Sequence, residues 1–147
     1  MIVGLHHTSR TVSDLDRSLG FYRDLLGMEV ALDAEMAGEM LEREVAMPGA
    51  RLRLVELRAG AAFLELLEYR APEGAPFPAG AKPADVGAHH VALLVDDIEA
   101  EHARLAAAGV RFTWPPQEVD AGYFAGHRTA YCYDPDGLIV ELWQLPA

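Results

Sequence analysis

Residues 89–98 read HHVALLVDDI, and 83 positions earlier residues 6–15 read HHTSRTVSDL. Superposed, His6 meets His89, His7 meets His90, Val12 meets Val95, Asp14 meets Asp97 and Leu15 meets Ile98. Matching segments at one fixed offset are the mark of an internal repeat. Each reads as a strand running into a helix N-terminus, where Ser13/Asp14 or Asp96/Asp97 can accept the first turn's orphan N–H groups. A second match lies further along each half. Residues 63–66 read FLEL and residues 139–142 read IVEL, so Glu65 stands where Glu141 does, each in the middle of an apolar strand.

Working outward, Leu15, Leu19, Tyr22 and Leu26 fall at helical spacing before Gly27, and Ile98 and Leu105 to Ala108 do the same before Gly109. Strands are expected near 28–33, 51–58 and 61–69 in the first half, with a hairpin turned at Ala59-Gly60. In the second half they are expected at 110–114, 126–133 and 138–144, the last two joined by the turn sequence DPDG at 134–137. Segment 34–50 is ambiguous, with a short helix around 38–46. The stretch RAPEGAPFPAGAKPADV (70–86) reads as a linker. The expectation is one α+β domain over 1–147: module one 1–70, linker 71–86 and module two 87–147, each module a βαβββ unit too small to bury its own core.

Composition narrows the function. Apolar residues make up 51% of the chain, enough for a core. The apolar runs are far too short to span a bilayer, and MIVGLHHT lacks the pattern of a signal peptide. A net charge of −11, without a Lys/Arg cluster, disfavours nucleic acid and anionic membranes as partners. Cys132 is the single cysteine, which rules out an internal disulfide and any multi-cysteine metal site. A reducing cytoplasm is the expected location.

Glu65 and Glu141 need an explanation, because a carboxylate within an apolar strand must be paired, protonated, metal-bound or at an exposed edge. Strand parity selects a histidine for each. His89 shares a face with Val91, Leu93 and Val95, a branched row suited to packing under a helix. His90 shares its face with Ala88, Ala92 and Leu94, where small residues leave room. By the repeat, His7 corresponds to His90. Two imidazoles and two carboxylates form an N2O2 set of charge −2 that one divalent cation neutralises. Such donors suit Ni, Co, Zn, Mn or Fe better than Ca or Mg. The expected metal ligands are therefore His7, Glu65, His90 and Glu141. His6 and His89 read as supporting or surface groups, His102 as solvated, and His127 as undecided.

The elements at 6–28, 64–68, 89–98 and 134–144 resemble the vicinal oxygen chelate superfamily: glyoxalase I, methylmalonyl-CoA epimerase, extradiol dioxygenases, and fosfomycin and bleomycin resistance proteins. The resemblance implies paired βαβββ modules forming a cup-shaped mixed sheet, with metal ligands at the same four positions. It implies a lyase, isomerase or epimerase acting on a small oxygenated metabolite through a metal-stabilised enediolate. Glu65 and Glu141 are then the candidate catalytic bases. Phe63, Leu67 and Trp143 share their faces and would supply a dry wall. It also implies a homodimer.

Where glyoxalase I of the nickel or cobalt type has an arginine and an asparagine for glutathione, this chain has Thr11 and Tyr69. Two alternatives follow from the same resemblance. YCYDPDGLIVE (131–141) matches the tail of the extradiol dioxygenase signature but lacks its upstream histidine. A metal-free antibiotic-sequestering protein would use the acidic charge with Trp114, Tyr123, Phe124 and Trp143, but has no need for the His/Glu set.

Overall fold

In the computed structural model, which describes residues 1–146, the chain divides into two compact units, Met1–Pro76 and the part from Phe77 onward. Each unit is a four-stranded mixed sheet with one helix on its buried face.

The first unit opens with β1 (His7–Thr11) and α1 (Leu15–Leu19), which runs on as a π-helical turn over Gly20–Leu25. Three strands complete the sheet: β2 (Val30–Ala37), β3 (Arg51–Ala59) and β4 (Ala62–Ala71), with α2 (Glu39–Glu44) between β2 and β3. The sheet order is β1-β4-β3-β2, with β1 parallel to β4 and the other pairs antiparallel. In the second unit β5 (His90–Leu94) leads into α3 (Ile98–Ala107). Then come β6 (Gln117–Glu118), β7 (Arg128–Tyr133) and β8 (Ile139–Gln144), in the order β5-β8-β7-β6. The strand–helix repeat expected from the sequence is therefore present, and the fold class is α+β.

The repeat extends to the helix starts. Asp14 and Asp97, equivalent residues, are the N-caps: Asp14 accepts the N–H of Arg17, and Asp97 accepts those of Glu99 and Ala100. The next residue donates its N–H to the far end of the last strand, Leu15 to Glu68 Oε2 and Ile98 to Gln144 Oε1. Each helix is thereby tied to an inner strand of its sheet by a side chain at the same repeat position.

Strand alternation then sorts the faces. Val55 and Leu57 of β3 pair with Leu66 and Leu64 of β4. All four are buried on the side covered by Leu15, Leu19, Phe21 and Tyr22. In the second unit Ala130, Cys132, Val140 and Leu142 are the buried row, with Ile98 and Leu105 of α3. Burying each such leucine or isoleucine contributes roughly 1.5–3 kcal/mol. Arg10, 1% exposed, lies on this inner side and donates Nη1–H to the Tyr22 hydroxyl at 2.8 Å. On the opposite face, α2 seats Leu41 on Ala50 and Leu52 beside Leu54, Leu67 and Tyr69. It covers only that end and leaves the His7 end uncovered.

Four local expectations are corrected. The first helix does not stay α-helical: Leu26 N–H reaches Phe21 C=O at 2.9 Å, an i→i−5 bond that inserts one extra residue in the turn. The β3–β4 hairpin turns at Gly60-Ala61, one residue later than expected, because Ala59 still pairs with Ala62. Gly60 takes the positive φ, 63°, needed at the first position of a II′ turn. Residues 110–114 form no full strand. Phe112 makes an isolated bridge to Cys132, and pairing resumes at Gln117, because Pro115 and Pro116 have no N–H to donate. His102 is half-buried rather than fully solvated; its ring packs on Phe112 with centroids 4.4 Å apart.

Candidate metal centre

Each unit builds half of the expected ligand set on the uncovered face of its sheet. In the first unit the parallel register sets His7 beside Phe63 and Ser9 beside Glu65, so the histidine and the glutamate share a face two residues apart. His7 Nε2 lies 3.8 Å from Glu65 Oε1. In the second unit His90 pairs with Ile139 and Ala92 with Glu141, and His90 Nε2 lies 3.0 Å from Glu141 Oε2. The parity argument thus picked the histidine that meets the glutamate in both halves. His89 turns away: its Nδ1 is 3.4 Å from Gly87 C=O, and it lines a cleft with Phe77, Pro83, Tyr133 and Leu138.

Both glutamates are buried, Glu65 at 8% and Glu141 at 4% exposure. Among the described residues their ion-pairing partners are His7 and His90, not arginine or lysine. Each carboxylate also accepts a hydroxyl hydrogen bond at 2.6 Å, Glu65 from Ser9 and Glu141 from Thr129. A buried carboxylate held by a hydroxyl and an imidazole still lacks a full compensating charge, which a bound divalent cation would supply. The donor chemistry therefore fits a transition ion in both halves.

The hydroxyls break the repeat. Ser9 comes from β1, and its equivalent in the second unit is Ala92; Thr129 comes from β7, opposite Trp143. Sequence reasoning missed both residues, and met Tyr131 only as the tyrosine of the dioxygenase-like signature. Tyr131 pairs with Glu141 across the β7–β8 ladder, and its ring packs 5.5 Å from that of His90. Burial, then the charge of Glu141 and a hydrogen bond to it, push the Tyr131 phenol above its ordinary pKa. Its counterpart across the first unit's β3–β4 ladder is Glu56, opposite Glu65. Beyond Glu141 on the same face, Trp143 meets Phe124 edge-on at 5.3 Å and His127 at 5.2 Å. The His127 ring is steadied by a 2.9 Å contact between its Nδ1 and Phe124 C=O.

The model of the Glyoxalase/Bleomycin resistance protein/Dioxygenase superfamily matches residues 4–142. The chain belongs to this superfamily. Among superfamily relatives it is 36% identical over 151 residues to a 2-epi-5-epi-valiolone epimerase of Actinomyces, covering 99% of this chain and 81% of that protein. It is 31% identical over 146 residues to a lactoylglutathione lyase of Schizosaccharomyces pombe, covering 94% of this chain and 46% of that one. A glyoxalase family protein from Bacillus cereus superposes with a TM-score of 0.84 at 19% identity. That alignment covers 100% of this chain and 97% of the other, and it shows the shared glyoxalase fold.

Proposed function

We propose that the chain is a divalent-metal-dependent epimerase of the glyoxalase superfamily, inverting a carbon beside a carbonyl in a small oxygenated metabolite. In this reading His7, Glu65, His90 and Glu141 are the ligands of one Ni, Co, Zn, Mn or Fe ion. The observation that carries it is the pair of buried carboxylates, each faced by an imidazole and a hydroxyl and, among the described residues, ion-paired with no arginine or lysine. When bound, the ion supplies charge stabilisation to adjacent substrate oxygens.

The chain's own residues then divide the proton work. Glu65 and Glu141 are the candidate bases. Ser9 and Thr129 each occupy one oxygen of their glutamate and so fix which carboxylate edge faces the substrate. Inversion needs a proton removed on one face of the carbon and returned on the other, work that two carboxylates can divide. Phe63 and Leu67 beside Glu65, and Trp143 beside Glu141, limit water at the carboxylates.

Likeness to the valiolone epimerase favours a ketone-bearing polyol as substrate. The lyase reading is weaker, since Thr11 and Tyr69 stand where glutathione contacts are expected. A homodimer in the cytoplasm accompanies the proposal. No helix among the described residues is long and apolar enough to cross a membrane.

The test is incubation of metal-loaded protein with 2-epi-5-epi-valiolone in D2O. Deuterium at the carbon beside the carbonyl, lost in Glu65→Gln or Glu141→Gln, is the expected result. Activity undiminished by both changes, or by exhaustive chelation, sinks the reading. Oxygen uptake with catechols would establish the dioxygenase alternative.

A further inference from the structure

His6, His7 and Glu56 bring three ligand atoms within 4.8 Å of one another, all inside the first unit. His6 precedes β1, and its ring lies against Phe63 at 5.4 Å, on the same sheet face as His7 and Glu65. Glu56 reaches that face from β3, where it pairs with Glu65. His6 Nδ1 and His7 Nδ1 are 2.9 Å apart. With metal–imidazole bonds of about 2.1 Å, that separation subtends roughly 90° at a shared ion, the angle between neighbouring positions of a six-coordinate centre. Two imidazoles and one carboxylate are a donor set selective for transition ions over Ca or Mg.

We infer that His6, His7 and Glu56 form an accessory transition-metal site that competes for His7 with an ion held on the Glu65 side. The competition follows from the two edges of one ring. His7 turns Nδ1 to His6 and Nε2 to Glu65. A neutral imidazole has one lone pair to give, so it ligates on one side at a time. An ion held at His7 Nδ1 therefore leaves Nε2 protonated, a donor toward Glu65 that cannot ligate an ion on that side. The second unit cannot repeat this arrangement: His89 turns to Gly87 C=O, and Tyr131 stands where the first unit has Glu56. The site goes beyond the proposed catalytic centre and needs none of the second unit's residues.

The experiment is Co(II) titration, followed by visible absorption and equilibrium dialysis, of the full chain carrying His90→Ala and Glu141→Gln. Wild-type protein measured alongside reports separately on His90 and Glu141, through any tight binding the double variant loses. The expected result is one Co(II) per chain retained in the double variant. Adding His6→Gln or Glu56→Gln then weakens that ion at least about tenfold. Both added changes lie at solvent-accessible positions, and circular dichroism confirms that the variants are folded. A double variant that binds no Co(II), or whose ion is indifferent to His6→Gln and Glu56→Gln, overturns the site.

Discussion

Thr129 donates its hydroxyl to Glu141 Oε1 across 2.6 Å, from a strand position with no counterpart to Ser9 in the other half. Groups that orient a metal-ligating side chain typically affect affinity by about 10–100-fold. Thr129→Val keeps the shape and removes the donor, so it is expected to weaken metal binding by about that factor while leaving the fold intact. Competition against a chelator of known affinity reads the change. An unaltered affinity would mean that Thr129 does not orient a ligand.

Ser9→Ala tests the other half. It removes the hydroxyl from Glu65 and makes β1 match the Ala92 of its repeat partner. The expected loss of affinity is again about tenfold or more. Because the two glutamates are proposed to share one ion, the double change Ser9→Ala with Thr129→Val should not be additive. Isothermal titration of the four proteins gives the coupling; strict additivity argues for independent half-sites.

Tyr131 sets an alkaline limit in the metal-free chain. Burial first, and the Glu141 charge second, raise its pKa above the ordinary phenol value. The folded state therefore holds the phenol proton more tightly than the unfolded chain does. The stability this contributes is present below the ordinary phenol pKa and lost as pH rises through the raised value. Tyr131→Phe should flatten that alkaline loss, and one phenolate should disappear from the high-pH end of the ultraviolet titration.

At the acid end, Arg53 donates to Asp33 at 2.7 and 2.9 Å and to Asp16 at 2.7 Å, bracing β3 against β2 and α1. The hydrogen bonds from Arg53 hold the Asp33 carboxyl below its usual range. That stabilisation is present above the ordinary carboxylate pKa and lost as pH falls through the lowered one. Solvent screening limits it to under about 1 kcal/mol. Arg53→Met should shrink the difference in melting temperature between neutral and acidic pH.

In the core, Leu66 and Leu142 are equivalent by repeat and fully buried or nearly so. Leu66→Ala and Leu142→Ala should each cost about 2–5 kcal/mol by denaturant unfolding. A cost below 1 kcal/mol at either would contradict the packing described for that unit.

Much of this protein was legible in the chain itself. Two strand–helix starts with Asp14 and Asp97 as caps, the apolar rows facing the helices, and the face shared by His90 and Ala92 all follow from local periodicity, which neighbouring residues alone specify. His7 and His90 were chosen by parity, and each meets its glutamate within its own sheet. What periodicity cannot carry is the pairing register between strands distant in sequence. That register sets Glu56 opposite Glu65, brings Thr129 rather than an equivalent of Ser9 to Glu141, and stands Tyr131 against His90. The π-turn after Leu19 and the interruption at Pro115-Pro116 likewise depend on how helix and edge strand meet the rest of their sheet. Strand alternation determined which side chains could look outward; only tertiary pairing decided which of them meet.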